Sequence, residues 1–130
     1  MDSEIKKCEQ NGYVTTLLNR RRYIPEINST NNAVRQFAQR QAINTPVQGS
    51  AADLMKLAMI NIQSAIESRK LATRMISTVH DELVFEAPAK EIKEVIKLVR
   101  HEMEHAVHLD VPVVVSVKTG KNWMDMEDAR

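Results

Sequence analysis

Three consecutive polar residues, His80, Asp81 and Glu82, lie between two β-forming runs at 75–79 and 83–85. The pattern predicts a β-hairpin that carries two carboxylates at its tip. Such oxygens could bind a divalent metal ion for hydrolysis. Adjacent strand residues point to opposite faces, however, so three neighbours cannot all face one metal without severe distortion, and a small metal-dependent hydrolase is a poor interpretation. An ordinary turn, in which acidic side chains make only local hydrogen bonds, is the other alternative.

The elements around this triplet predict an α+β fold. In chain order they are a short polar helix at 3–10, a hairpin at 13–24 with its first strand running to Leu18, two helices, the acidic hairpin, a third helix after Pro88 and a strand at 111–117. Hairpin strands pair antiparallel, and amphipathic helices bury an apolar stripe against a sheet. We therefore expect an antiparallel β-sheet with the helices packed on one face.

Pro46 is expected to separate the two middle helices. The first would run from Ala33 to about Ile43, because the residue before a proline avoids helical geometry. The second would begin with Thr45 as its N-cap, Pro46 at the first helical position and Gln48 completing a capping box. The inward stripes would be Ala51, Met55, Ala58, Ile62, Ala65 and Ile66 in this helix, and Ile92, Val95, Ile96, Val99, Met103 and Val107 in the third.

Composition indicates an ordinary soluble protein. The 130 residues are 43% apolar and 27% charged, with a net charge of +1, and are numerous enough to bury a core. The single cysteine, Cys8, can form no internal disulfide, which favours a reducing, intracellular compartment. No stretch has the apolar length of a membrane span, and the first residues lack the apolar core of a signal peptide. We therefore expect a cytoplasmic protein with no membrane partner.

Charge is distributed unevenly along the chain. Residues 17–48 contain five arginines and one acid, whereas residues 81–130 contain eleven acids and seven lysines or arginines. The Arg-rich segment favours a polyanion partner, because Arg makes bidentate contacts with phosphates and base edges. The alternative is a solvated charged face. The sequence has no Gly-rich phosphate loop, nucleophile elbow or zinc-ligand spacing, which argues against several enzyme classes.

Four segments resemble the C-terminal end of the bacterial DNA polymerase I family, the family A polymerases. They are Gly12-Tyr13-Val14 with Leu18-Asn19-Arg20-Arg21-Arg22, then 42–53, 79–83 and 120–123, in the order and spacing of that family. The resemblance covers nearly the whole chain. It implies that residues 1–130 are the C-terminal part of the polymerase domain, the palm with a small part of the fingers base, without thumb or exonuclease domain.

The acidic triplet resembles the third polymerase motif of that family. The resemblance makes Asp81 the essential Mg²⁺ ligand, Glu82 a supporting group at the metal or primer terminus, and His80 a contact to the primer backbone. Phosphoryl transfer uses two divalent metals about 3.5 to 4 Å apart, and Mg²⁺ takes one or two protein carboxylates plus water and phosphate oxygens. Both carboxylates reach one site only if the tip departs from regular strand geometry. The alternative for His80 is a histidine hydrogen-bonded to main chain.

The resemblance also implies DNA contacts at Arg35, Arg40, Asn44 and Gln48. Arg40, Asn44 and Gln48 follow one another at four-residue steps, so they would share one face if the helix were nearly continuous across the proline. In the family these positions contact the template–primer duplex largely in the minor groove, which reports base-pair shape without sequence. Arg35 resembles a template-backbone contact, and Gln48 has the capping box as its alternative role. Arg20-Arg21-Arg22 are expected to serve the sheet edge or to bind phosphates non-specifically.

The function implied is part of a DNA-directed DNA polymerase, which adds deoxynucleotides to a primer in DNA replication and repair in the bacterial cytoplasm, at the nucleoid. The partners implied are template–primer DNA, deoxynucleoside triphosphates and an N-terminal polymerase half. The first acidic motif and the nucleotide-binding fingers helix of the family are missing from the sequence, so the chain alone is expected to be inactive. The alternative is a non-catalytic module that binds duplex DNA or docks onto the missing half.

Overall fold

The computed structural model describes residues 2–129, which form helices joined to small antiparallel strand pairs. The helices are α1 (Asp2–Asn11), α2 (Asn32–Ser68) and α3 (Ile92–Glu104), with 3₁₀ turns at Pro25–Asn28 and Ala89–Glu91. The strands pair as three separate ribbons, β1 (Tyr13–Thr15) with β2 (Arg21–Tyr23), β3 (Arg74–Val79) with β4 (Glu82–Glu86), and β5 (Val117–Thr119) with β6 (Glu127–Ala129). The α+β class with antiparallel pairing is confirmed. In the part of the chain that is described, no helix is both long and apolar enough to cross a bilayer.

The chain divides into two compact units, Met1–Asp53 and Leu54–Arg130, each with its own apolar core. The core of the first unit is formed by Cys8, Val14, Ile24, Ile27, Ala38 and Ala42, each no more than 2% exposed. The Cys8 thiol is fully buried, and this burial raises its pKa, so the cysteine acts as a small apolar core residue rather than as a nucleophile.

The first hairpin is shorter than the sequence predicts. Strand β1 ends at Thr15, and the next amide, that of Thr16, donates a hydrogen bond to the Arg20 carbonyl (2.9 Å), which closes the loop. Leu17 lies in this loop and is half exposed, so the predicted extension of the strand to Leu18 is wrong. Asn19 takes a left-handed φ of 62°, a conformation that Asn tolerates better than most residues.

The single helix α2 replaces the two helices predicted on either side of Pro46. It begins beside Asn31, whose side-chain oxygen accepts a hydrogen bond from the Ala33 amide (3.0 Å). Thr45 is therefore not an N-cap, and its hydroxyl instead accepts a hydrogen bond from Arg22 Nη1 (3.2 Å). With no helix start at this point, the capping box is wrong as well.

Tertiary contacts on both sides of the proline explain why α2 continues. An interior proline costs a helix about 3 kcal/mol, which is enough to end it in the absence of other contacts. Before Pro46, Ala38 and Ala42 are buried in the first core. After it, Gly49 lies against the first hairpin so closely that a Cβ there would come within 2.6 Å of Thr16 Cγ2. Packing against one hairpin therefore keeps both segments helical.

The core of the second unit joins the C-terminal half of α2 to α3. It consists of Ala58, Ile62, Ile66, Val95, Leu98 and Val99, with the partly buried Met75, Leu83 and Phe85 of the β3–β4 ribbon packed against it. Most of the predicted helix stripes are therefore confirmed. Ala51 is wrong because it is exposed, and Val107 lies beyond the end of α3.

The strand predicted at 111–117 is wrong except at its last residue. Only Val117 belongs to a strand, β5. Within residues 2–129 no strand pairs with 111–116, and Val111 and Val114 are 72% and 84% exposed. An apolar run becomes a strand when a partner completes its hydrogen bonds and a surface covers its side chains, and sequence alone does not supply either. The Val115 amide donates instead to a carboxylate oxygen of Glu104 (3.1 Å).

The side chain of Glu91 links the segment before β3 to the start of α3 through hydrogen bonds. Its carboxylate accepts hydrogen bonds from the Ala72 amide (2.9 Å), the Thr73 amide (3.0 Å) and the Thr73 hydroxyl (2.7 Å). These bonds, the one from the hydroxyl most of all, favour the charged form and lower the pKa of Glu91.

We expect Glu91→Gln to reduce the loss of stability in acid. A carboxyl whose pKa is depressed by folding contributes stability that is fully present above its unfolded pKa, about 4.3, and is lost as the pH falls through the lower folded pKa. Urea unfolding between about pH 6 and about pH 3 should therefore show a smaller decrease in the free energy of unfolding for the variant than for the wild-type chain. The exposed Glu86→Gln variant is the control, and equal acid losses in all three proteins would contradict the assignment.

Candidate active site at a hairpin tip

The acidic triplet lies at the tip of the β3–β4 ribbon, as predicted. Val79 and Glu82 are paired across the ribbon, which leaves His80 and Asp81 as a two-residue loop. His80 has a φ of 54°, and left-handed geometry is what the first loop residue of such tight hairpins requires. A non-glycine residue in this conformation costs of order 1 kcal/mol, so the tip is held by the pairing of the strands on both sides.

The two carboxylates differ in how the backbone positions them. Asp81 lies in the loop, where strand alternation does not apply, whereas Glu82 is the first residue of β4. The tip therefore departs from regular strand geometry at Asp81, which is the condition under which both side chains reach one site.

The two faces of β4 have different roles. Leu83 and Phe85 alternate with Glu82, and they are the β4 side chains that pack on the core of the second unit. Glu82 therefore belongs to the opposite face, together with Val84. Across the ribbon, the register shifts between Met75 and Ser77, and this bulge strengthens the local twist of the ribbon below the tip. The core thus fixes the base of the hairpin while leaving its tip in solvent.

All three side chains of the triplet are exposed. Among the hydrogen bonds and ion pairs of residues 2–129, none engages the side chains of His80, Asp81 or Glu82. The alternative of a histidine bonded to main chain therefore receives no support. Two unengaged carboxylates side by side provide the oxygen ligands that Mg²⁺ prefers, so the donor set fits that ion.

The same tip offers only part of a metal centre. Within residues 2–129 no three His, Cys, Asp or Glu side chains are grouped so that they could hold a metal ion. The arrangement suits a site whose remaining ligands come from outside these residues, such as phosphate oxygens, water and further carboxylates.

The predicted DNA-contact residues lie on α2, in the first unit. Because α2 is unbroken, Arg40, Asn44 and Gln48 fall on one helix face at successive four-residue steps, and all three are exposed. Arg40 lies 5.8 Å from the ring centre of the exposed Phe37. Arg35 is engaged locally, since its guanidinium donates to the Ser29 carbonyl (3.2 Å) and to the side chain of Asn32 (2.9 Å) at the start of the helix.

The arginines of the first hairpin have structural partners. The Arg20 guanidinium forms an ion pair with Asp53, whose other oxygen accepts a hydrogen bond from the Thr16 hydroxyl. Arg21 packs on the ring of Tyr13, 4.6 Å from its centre. Sequence reasoning missed the role of Asp53, a carboxylate that is only 4% exposed. The signal in the sequence that could have indicated its burial is its position among small residues within an amphipathic helix.

Known proteins of similar sequence identify the family of the chain. A family model described as DNA polymerase family A matches residues 1–125. The chain belongs to this family. DNA polymerase I of Bacillus subtilis and that of Geobacillus stearothermophilus are each 50% identical to it over 125 residues. Each alignment includes 96% of the chain and 14% of the relative, so the chain spans about one seventh of the length of these family A polymerases.

A solved polymerase structure has the same fold over most of the chain. It is the POL domain of Pol1 from M. smegmatis in complex with a DNA primer-template and dNTP. The match has a TM-score of 0.83 and 47% identity, and it covers 85% of this chain and 20% of that one. The predicted resemblance to family A polymerases is thereby confirmed.

Proposed function

We propose that the chain forms the C-terminal palm, with a small part of the fingers base, of a DNA-directed DNA polymerase that adds deoxynucleotides to a primer. The observation that carries this proposal is the solvent-exposed pair Asp81 and Glu82 at a hairpin tip, in a chain that belongs to family A. The primer-template DNA and dNTP bound by the M. smegmatis relative support the same partners here. The protein would act in replication and repair in the bacterial cytoplasm, at the nucleoid.

In the proposed mechanism each residue of the tip has a separate task. Asp81 would hold Mg²⁺ through its carboxylate, Glu82 would support the metal or the primer terminus, and His80 would contact the primer backbone. When bound there, Mg²⁺ would supply charge neutralisation for in-line phosphoryl transfer, in which the primer 3′-hydroxyl loses its proton and its oxygen bonds to the α-phosphorus of the nucleotide as the bond to the leaving pyrophosphate breaks. Folding contributes by placing the carboxylates on a hairpin whose base is fixed in the core, so little reorganisation accompanies metal binding.

We further propose that these 130 residues are inactive by themselves. Two-metal transfer needs ligands on both sides of the metal pair, and the tip offers two carboxylates in a chain where no third metal-binding side chain is grouped with them among residues 2–129. The remaining ligands and the nucleotide-binding helix would come from an N-terminal polymerase half, which is the protein partner we assign to the chain.

Primer extension tests this assignment directly. The wild-type chain and its Asp81→Ala variant would each be incubated with Mg²⁺, all four deoxynucleotides and a labelled template–primer duplex. We expect no extension from either protein. Extension by the wild-type chain that disappears in the variant would show that the 130 residues are sufficient for catalysis, whereas extension by both would reveal a contaminating polymerase.

A second function, binding of duplex DNA without catalysis, is favoured by the exposed face of Arg40, Asn44 and Gln48. Side-chain amide and guanidinium donors on one helix face are suited to the acceptors of the minor groove, which are similar for every correct base pair. Binding through this face would therefore depend on duplex shape and on salt rather than on sequence.

We expect Arg40→Ala to weaken duplex binding and to lower the slope of log affinity against log salt by about one, because one cationic contact is lost. Fluorescence anisotropy with A·T-rich and G·C-rich duplexes at several salt concentrations would measure both effects. Lys97→Ala removes an exposed cation from α3 and is the matched control. Equal losses in the two variants would mean that net charge alone causes the binding.

A further inference from the structure

Two aromatic side chains of the first unit are exposed beside one shallow concave surface. Tyr23 and Phe37 are 66% and 56% exposed, although phenylalanine is among the residues most often buried. Both line a depression of about 330 Å³, together with Arg22 and Gln41. All four residues belong to the first compact unit, and neither ring is part of its apolar core. Apolar surface left exposed in a depression with a polar border marks an interaction site.

An arginine lies beside each of these two rings. The guanidinium carbon of Arg40 is 5.8 Å from the centre of the Phe37 ring. The Tyr23 ring contacts the Tyr13 ring edge-on, with centres 5.5 Å apart, and the guanidinium carbon of Arg21 is 4.6 Å from the centre of the Tyr13 ring. The surface therefore offers aromatic faces and cations side by side.

The charges around the depression favour an anionic ligand. Arg22 lines it, and Arg21 and Arg40 lie beside its rings, whereas Glu26 is the one acid among the described residues that line it. Arg22 donates from Nη1 to the Thr45 hydroxyl (3.2 Å), and because a guanidinium has five N–H donors, others can reach a phosphate. Aromatic rings on which bases stack, next to arginines that contact phosphates, are typical of surfaces that bind single-stranded nucleic acid.

Phe37 lies on the same face of α2 as the proposed duplex-binding residues. It precedes Arg40 by three residues, Asn44 by seven and Gln48 by eleven, and such steps return a side chain to one face of an α-helix. With a rise of 1.5 Å per residue, Phe37 is about 10 Å along the helix axis from Asn44. A strand that leaves a duplex bound on this face would therefore reach the concave surface within a few nucleotides.

We propose that Phe37 and Tyr23 stack the unpaired bases of the template strand where it leaves the template–primer duplex, while the arginines beside them contact its phosphates. This inference rests on the proposed duplex binding by the face of α2 that carries Arg40. Every base has an aromatic face, so stacking accepts any sequence, as a template of arbitrary sequence requires.

Fluorescence anisotropy of the 130-residue chain with three DNAs of equal duplex length tests the proposal. The first is blunt, the second has a short 5′ overhang of adenines, and the third has an overhang of the same length made of abasic nucleotides. We expect the adenine overhang to raise the affinity about ten-fold over the blunt duplex. The abasic overhang keeps the phosphates but has no bases, so it should raise the affinity much less.

Variants at Phe37 separate stacking from apolar contact and from charge. Phe37→Ala and Phe37→Leu should both lose most of the gain from the adenine overhang and keep the affinity for the blunt duplex, because neither retains a ring. Phe37→Trp should keep the gain. Trp123→Ala removes an equally exposed ring, 57% exposed, from the second unit and is the matched control, which should behave like the wild-type chain. Far-UV circular dichroism would verify that each variant retains the wild-type helix content.

Two results would overturn the proposal, namely a wild-type overhang gain in Phe37→Ala, or equal gains from adenine and abasic overhangs. Failure of the proposed duplex binding is distinguishable, because the wild-type chain would then not bind the blunt duplex. A labelled single strand of adenine deoxynucleotides is the probe for that case. It should bind the wild-type chain about ten-fold more tightly than Phe37→Ala, and equal affinities, or no binding to either protein, would overturn the proposal.

Discussion

Asp81→Asn is expected to reduce primer extension by about three orders of magnitude in a polymerase that carries this chain. The suitable host is DNA polymerase I of Bacillus subtilis, which is 50% identical over 125 residues and supplies the remainder of the enzyme. The change keeps the volume of the side chain and removes its charge. Loss of one preorganised electrostatic group typically costs about 10² to 10³ in rate, and a metal ligand belongs at the upper end of this range.

Neighbouring residues of the same hairpin provide the controls. Glu82→Gln should cause a smaller loss, because its proposed role is support of the metal or primer terminus. Glu86→Gln removes an exposed carboxylate at the far end of β4 and should leave extension unchanged. The rate of single-nucleotide incorporation at saturating Mg²⁺ is the measurement. The assignment of Asp81 as the essential ligand would be contradicted if the polymerase carrying Asp81→Asn incorporated nucleotides at a rate within ten-fold of the same polymerase without the substitution.

Asp53→Ala is expected to lower the free energy of unfolding by about 2 kcal/mol. Its carboxylate is nearly inaccessible and binds both the Thr16 hydroxyl and the Arg20 guanidinium, so it joins the first hairpin to α2. Removing one member of a fully buried ion pair costs about 3–5 kcal/mol. The Arg20 side chain is 52% exposed and can return to water, which reduces the expected loss. The Thr16 hydroxyl, which is buried, would be left without its acceptor.

Urea unfolding followed by far-UV circular dichroism would measure this loss. Glu26→Ala, which removes an exposed acid from the same unit, should change stability by no more than about 0.5 kcal/mol. A double-mutant cycle with Arg20→Met would isolate the contribution of the ion pair itself. If Asp53→Ala and Glu26→Ala unfold at the same urea concentration, the buried network is not what stabilises the first hairpin.

The sequence alone determined the features that depend on local pattern. The triplet His80-Asp81-Glu82 between β-forming runs predicted a hairpin with acids at its tip, and the structure has a two-residue loop there. The amphipathic period of α3 predicted its buried face. The order and spacing of four short segments predicted the family. Such segments can be recognised individually, whereas the overall composition says little about family membership.

Tertiary structure decided the features that depend on a partner. Pro46 should end a helix by its own chemistry, yet packing of α2 against the first hairpin on both sides of the proline keeps the helix continuous. The run 111–117 has the composition of a strand, but within residues 2–129 no strand pairs with its first six residues. Local propensities amount to about 1 kcal/mol per residue or less, whereas packing and hydrogen-bond partners contribute more. Those partners are distant in sequence, so only the folded chain reveals them.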